Sequence, residues 1–278
     1  MNVLWNQDIV ARNQVNIDIE DRGYQYGDGI YEVIRVYGGQ CYMLAEHMER
    51  LTTSAKKIKL ALPYEPQRIA ANLQKLIAIE GIDNGEIYLQ ITRGVFSPRN
   101  HQFPDPGTVQ PVLTANAIPF ERPTEMQQRG LNATVIPDQR WLHCDIKSLS
   151  LLGNLLSLDE AIEKGFDDAL LQRDGFFTEA SASNLWFVLE GKLYTHPDGP
   201  LVLPGITKIK VRELCGELGL SLQEDAVSIT RLKDVQECFL TNSVWEIIPI
   251  VSVDGQLIGN GERGPITTLL QQAYIAAI

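Results

Sequence analysis

Residues Tyr31–Tyr37 alternate along a strand, Gly38-Gly39 supplies a turn, and Cys41–Leu44 returns, which reads as a β-hairpin. Directly behind it, Ala45–Lys57 carries apolar residues at helical spacing, as does Glu65–Glu80, which Gly81 ends. The same interleaving runs through the rest of the chain. Val3–Asn6 and Val15–Ile19 read as strands around a polar turn, and Glu86–Val95 and Val109–Ile118 as two more. After them come a strand at Leu131–Ile136 and a helix at Leu149–Lys164. Strands at Ala169–Gln172 and Leu185–Leu189 follow, the second turning through Glu190-Gly191 into Lys192–Thr195. Helix Thr207–Leu218, strands near Cys238–Thr241 and Ile247–Val253, and a C-terminal helix complete the chain. Strands and helices alternate without regular βαβ order, so the expectation is an α/β fold of the α+β type with two mixed domains, not a doubly wound sheet. Ile118-Pro119-Phe120-Glu121-Arg122-Pro123 reads as the connection. It gives a small N-terminal domain over 1–118, a linker over 119–122 and a larger domain over 123–278.

With 278 residues and 44% hydrophobic content the chain can bury a core without staples. Its formal net charge is −11, and no basic stripe marks a nucleic-acid surface. In so acidic a chain, local positive charge should mark an anionic ligand. Cys41, Cys144, Cys215 and Cys238 are isolated, and the four histidines are scattered, which argues for reduced thiols and against a metal site. The N-terminus lacks a basic region followed by an apolar run, and no stretch is apolar enough to span a bilayer. The expected location is the cytoplasm.

Four residues stand out chemically, each beside an ordinary reading. Lys147 lies between a strand and a long helix among Trp141, Leu142, Ile146, Leu149, Leu151 and Leu152. Lysines at such boundaries are usually solvated; one that forms a Schiff base needs a free amine near neutral pH. Glu179 precedes small residues and an apolar strand. It is either a surface turn or a carboxylate that keeps a pyridine nitrogen protonated. Thr207 in Gly205-Ile206-Thr207 is an N-cap, or part of a phosphate site that uses the free N–H groups of a helix start. Arg50 is a solvated helical charge or a forked phosphate contact. The loop SPRNHQFPDPG places Arg99 and His101 between two strands, where with Tyr31 they could bind a carboxylate.

Taken in order, several segments resemble the class IV aminotransferases, the fold type IV pyridoxal-phosphate enzymes. They are Arg22–Val33, Thr92-Arg93-Gly94, Ser97–Pro104, Arg140–Leu149, Thr178-Glu179 with Ser183-Asn184, and Gly205-Ile206-Thr207. The likeness covers nearly the whole chain and is nearest to the D-amino-acid branch, to which the Arg-x-His loop and the Asp-Ile-Lys-Ser context are specific. It implies pyridoxal 5'-phosphate between two α/β domains of a homodimer. Lys147 then matches the Schiff-base lysine and proton carrier, and Glu179 the partner of the pyridine nitrogen. Arg50, Ile206 through its backbone, Thr207 and Ser243 match phosphate contacts, and Leu203 the residue packed on the ring. Tyr31, with Arg99 and His101 from the other subunit, matches a trap for the substrate carboxylate, and Val33 lies by family position at the side-chain pocket. Ala182, Lys208 and Asn242-Ser243 depart from the usual residues.

The implied reaction is ping-pong transamination between a D-amino acid and a 2-oxo acid, of the type D-alanine + 2-oxoglutarate = pyruvate + D-glutamate. The rivals are a branched-chain L-amino-acid aminotransferase or an aminodeoxychorismate lyase of the same family, and a non-catalytic protein that binds a phosphorylated metabolite.

Overall fold

The computed structural model describes residues 1–278. The chain divides into two compact units, Met1–Glu121 with Ile146–Ser150, and Arg122–Asp145 with Leu151–Ile278.

The first unit is one six-stranded antiparallel sheet. Its strands are β1 (Asn2–Trp5), β2 (Asp8–Ala11), β3 (Gly29–Tyr37), β4 (Gln40–Cys41), β5 (Gly85–Thr92) and β6 (Val112–Pro119), in the order β2-β1-β6-β5-β3-β4. Three helices accompany it: α1 (Arg22–Tyr26), α2 (Leu44–Lys57) and α3 (Pro66–Glu80). Proline at the start of α3 and left-handed Gly81 at its end follow ordinary capping chemistry. One sheet face alternates inward as Ile30, Ile34 and Val36 on β3 with Ile87, Leu89 and Ile91 on β5, and packs on Leu51 of α2 and Leu73 and Leu76 of α3.

The second unit begins with α4 (Thr124–Arg129), β7 (Leu131–Pro137), α5 (Leu152–Glu163), β8 (Asp168–Arg173), β9 (Phe176–Ala180), β10 (Asn184–Leu189) and β11 (Lys192–Thr195). It continues through α6 (Ile206–Glu217), β12 (Leu222–Gln223), β13 (Glu237–Asn242), β14 (Glu246–Val253), β15 (Gln256–Leu257) and α7 (Pro265–Ala276). Its nine strands form a mixed sheet, ordered β12-β11-β10-β13-β14-β7-β8-β9 with β15 on β14. β7 runs parallel to both β8 and β14, while the hairpins are antiparallel. Leu131, Leu170, Phe177, Phe187, Leu240 and Ile248 lie in its core.

Several expectations are corrected. Val15–Ile19 is not a strand; β1 turns back at once through Asn6-Gln7 into β2, with Asn6 in the left-handed region that asparagine tolerates. Phe176–Ala180 is a strand that the reading missed, and Glu179 lies on it rather than in a turn. The expected helix at Leu149–Lys164 begins only at Leu152. Residues just before it are committed to β3: Leu149 N–H donates to the Gly29 carbonyl (3.0 Å) and Tyr31 N–H to the Lys147 carbonyl (3.0 Å). For the same reason Ile146–Ser150 groups with the first unit. Lys147 therefore does not belong to the larger C-terminal unit as expected.

Candidate active site

In the first unit Lys147 sits on a strap, Ile146–Ser150, laid against the start of β3. A bridge joins Ile30 and Ser148, and the Lys147 N–H donates to Ser54 Oγ on α2 (3.3 Å). The approach is close enough to require glycine. A Cβ on Gly29 would stand 2.5 Å from the Ile91 carbonyl oxygen and 2.6 Å from Leu149 Cδ1. The strap brings Lys147 Nζ to 4.1 Å from the centroid of the Tyr31 ring. Tyr31 stacks on Tyr88 at 5.8 Å, and Tyr88 donates its hydroxyl to Gln90 Oε1 (2.8 Å). Register places Tyr31 opposite Gln90 and Val33 opposite Tyr88, so these four share one face of the sheet.

The other face of β3 carries an unexpected charge. Glu32 interrupts the inward run of Ile30, Ile34 and Val36 and is fully buried. It accepts a forked pair from Arg50, Nε to Oε1 at 2.8 Å and Nη2 to Oε2 at 2.6 Å, and its Oε2 lies 2.7 Å from His47 Nδ1. Residues 47 and 50 are one helical turn apart on α2, which aims both side chains at the same carboxylate. Burial pushes the Glu32 carboxyl up, but Arg50 and His47 outweigh it and hold it at about 2. Burial holds the His47 imidazole below its usual value against the pull of Glu32. Arg50 is thus no solvated surface charge.

Arg99 and His101 lie together on the loop after β5. The Arg99 guanidinium stands 4.5 Å from the Tyr26 ring centroid, and the His101 ring 5.7 Å from the same ring.

In the second unit, Glu179 on β9 is buried and accepts hydrogen bonds from Arg140 Nη1, from Asn184 Nδ2 (3.0 Å) and from the Leu203 N–H (3.0 Å). Arg140 gives more to Asp138: its Nε and Nη2 each lie 2.9 Å from that carboxylate, and its backbone N–H 3.1 Å. Burial pushes the Glu179 carboxyl above its usual range against the pull of Arg140, while Arg140 holds Asp138 below its own. Asn184 Nδ2 also donates to the Leu203 carbonyl (2.8 Å), so both backbone groups of Leu203 are held, the N–H by Glu179 and the carbonyl by Asn184.

Helix α6 opens at Gly205, with no side chain capping its first turn. Thr207 is buried inside the helix and is not the N-cap, which disposes of the ordinary reading of that threonine. The first-turn N–H groups of α6, Ile206 among them, remain available to an anion. A Cβ on Gly205 would fall 2.0 Å from Asn184 Oδ1, so the helix start and the Glu179 cluster fit only with glycine there. Ser243 lies in the β13–β14 turn, which Asn242 builds by accepting from the Val244 N–H (3.0 Å) and Trp245 N–H (2.7 Å). Asn242 also donates to Ser183 Oγ (2.8 Å), which ties this turn to the segment between β9 and β10.

Sequence reasoning passed over four members of these clusters: Glu32, His47, Asp138 and Arg140. A carboxylate on the inward register of β3 was the available signal for the first two. Arg140 and Asp138, two residues apart, gave only a short local charge pattern.

The amino-transferase class IV family model matches residues 29–253. A D-alanine aminotransferase of Bacillus licheniformis is 43% identical, covering 98% of this chain and 95% of its own length. One from Listeria innocua is 42% identical, covering 100% and 96%. Among solved structures, the Escherichia coli branched-chain amino acid aminotransferase superposes with a TM-score of 0.92 at 25% identity, covering 99% of this chain and 93% of that one. A putative 4-amino-4-deoxychorismate lyase of Legionella pneumophila gives 0.83 at 25% identity over 95% and 96%. An amine-bearing strap on one sheet, a buried carboxylate on the other and an uncapped helix start thus occur in a chain that belongs to the class IV aminotransferases.

Proposed function

We propose that this chain is a pyridoxal-phosphate-dependent aminotransferase that moves amino groups between D-amino acids and 2-oxo acids, as in D-alanine + 2-oxoglutarate = pyruvate + D-glutamate. The observation that carries the reading is the 42–43% identity, over nearly full length, to relatives named D-alanine aminotransferase. The residues present fit the cofactor: a lysine on a backbone-anchored strap, a buried carboxylate with raised proton affinity, and a glycine-opened helix start with no side-chain cap.

Bound pyridoxal phosphate supplies a carbonyl that bonds an amine and a ring that draws electrons from the substrate's α-carbon. Lys147 holds the cofactor through its amine and then carries the proton at the α-carbon. Glu179 holds a proton at the ring nitrogen. Its raised proton affinity and its three fixed donors suit that task. Arg50, the Ile206 N–H, Thr207 and Ser243 bind the phosphate, and Leu203 packs on the ring. Tyr31, with Arg99 and His101 across a homodimer interface, binds the substrate carboxylate. That choice of where the carboxylate sits decides which face of the α-carbon meets Lys147. Val33 lines the side-chain pocket.

Support for the homodimer comes from apolar surface on the second unit: Leu152, Leu155 and Leu156 of α5 are 68%, 57% and 59% exposed, with Leu142 at 58%. No helix is long and apolar enough to cross a membrane; the proposed location is the cytoplasm.

The test is a half-reaction. The cofactor-loaded protein is mixed separately with D-alanine, L-alanine and L-leucine, and the cofactor's absorbance is followed. Conversion with D-alanine alone is expected, and Lys147→Ala should slow it by orders of magnitude. Conversion with L-leucine alone would overturn the D-specific reading in favour of the branched-chain rival. No cofactor absorbance at all would favour a non-catalytic phosphate-binding protein.

A further inference from the structure

The loop that bears Arg99 and His101 is held by a set of residues with no assigned part in the reaction. Arg22, on α1, is buried. Its Nη1 donates to the Asn100 carbonyl (2.7 Å) and to the Gln102 carbonyl (3.2 Å), the carbonyls of the two residues that flank His101. Its Nε donates to Asp28 (2.7 Å), which is also gripped by Arg93 through two bonds of 2.8 and 2.9 Å. Arg93 in turn lies 4.2 Å from the Phe103 ring, further along the loop. Asp28 thus ties two guanidiniums together, and each of them holds the loop, one through its main chain and one through an aromatic ring.

Tyr26, at the other end of α1, is the platform. Arg22 and Arg99 lie against its ring at 4.8 and 4.5 Å, and His101 tilts onto it at 5.7 Å. The Tyr26 hydroxyl is buried and has no hydrogen-bond partner, so the ring rather than the phenol makes the contacts. A cation held over an aromatic face keeps its charge while losing freedom.

We propose that Arg22 and Tyr26 are positioning residues for substrate-carboxylate binding: Arg22 fixes the backbone around His101, and the Tyr26 ring fixes the direction of Arg99. The proposal rests on the reading of Arg99 and His101 as the carboxylate trap. Neither Arg22 nor Tyr26 touches the substrate. Both act by removing alternative conformations of the two residues that do, so their loss should appear in substrate binding rather than in the chemical step.

The experiment measures KM and kcat for D-alanine in the cofactor-loaded enzyme and in Tyr26→Leu, Tyr26→Phe, Arg22→Met and Arg99→Ala. Each protein is also given D-alaninamide, which lacks the carboxylate, in the half-reaction. Tyr26→Leu is expected to raise KM for D-alanine about tenfold with kcat within a factor of two, and Tyr26→Phe to restore the wild-type value. Arg22→Met should raise KM more than Tyr26→Leu. Neither Tyr26→Leu nor Arg22→Met should change the rate with D-alaninamide by more than a factor of two. Equal losses on both substrates would mean a merely structural role and overturn the proposal, as would an unchanged KM in Tyr26→Leu. If Arg22→Met fails to fold, the Tyr26 pair decides alone. An unchanged KM in Arg99→Ala would sink the carboxylate trap itself; a raised KM there with no effect at Tyr26 would sink only the positioning role.

Discussion

Each unit buries an arginine–carboxylate cluster, and the two are built to opposite ends. In the first unit Glu32 receives both prongs of Arg50 and is met by His47 as well. In the second unit Arg140 spends three contacts on Asp138 and one on Glu179. The consequence is a carboxylate held at about 2 in one case and one pushed up in the other. Burial raises both. What differs is how the guanidinium is divided. A carboxylate that owns its arginine is a permanent anion and holds that arginine still. A carboxylate that shares its arginine with a stronger claimant keeps an appetite for a further proton. On the proposed function, the first suits a cluster that orients a phosphate ligand, and the second suits one that must hold a proton on a ring.

The largest effect should come from Glu32→Gln, which leaves Arg50 buried without its counter-charge. Removing one partner of a buried pair typically costs about 3–5 kcal/mol. Denaturant unfolding of the cofactor-free protein checks this, and a loss under 1 kcal/mol would mean the cluster is not the anchor described. Next is Glu179→Gln, expected to lower kcat about a hundredfold while stability changes little by comparison. A variant that loses stability but keeps kcat would reverse the comparison.

A smaller effect sharpens it. Asp138→Asn releases Arg140 to Glu179, which should lower the proton affinity of Glu179. A drop in kcat of about tenfold is expected, together with a shift of the alkaline limb of the pH–rate profile to lower pH. An unmoved profile would mean that the division of Arg140 does not set the behaviour of Glu179.

Acid should separate the two clusters by sign. The stability from Glu32 is present above its unfolded value near 4.5 and is lost as pH falls toward about 2. Glu179, with its folded value raised, does the reverse: its contribution is favourable at low pH and is lost as pH rises through the folded value. Stability measured between pH 7 and 3 should therefore show the gap between wild type and Glu32→Gln narrowing on acidification. For Glu179→Gln, any stability advantage over wild type should shrink. Parallel changes in both variants would refute the contrast.

What could be read from the sequence was divided in the same way. Lys147, Glu179 and the Gly205-Ile206-Thr207 turn stand in motifs, and the strands of the first sheet declare themselves by alternation. The strand at Phe176–Ala180 was hidden because Gly175 and the polar Thr178-Glu179 imitate a turn; only the partners that satisfy those groups, Asp138 and Arg140 among them, make it a strand. Val15–Ile19 failed for the opposite reason: its apolar residues have no strand to pair with, because the Asn6-Gln7 turn has already folded β2 onto β1. The helix starts later than its composition suggests because Leu149 and its neighbours have helical composition while their backbone is engaged by Gly29 and Tyr31. Contacts between distant parts of the chain carry no local signature.

The strap on β3 also orders events in time. Ile30 is made more than a hundred residues before Ser148, its bridge partner. A chain emerging from the ribosome can assemble the six strands of the first sheet while the lysine is still unsynthesised, because long-range closures form after local pairings. The amine therefore arrives at a finished surface. A nascent chain stalled before the strap would lack Lys147, and with it the backbone bond that the Tyr31 N–H makes to the Lys147 carbonyl.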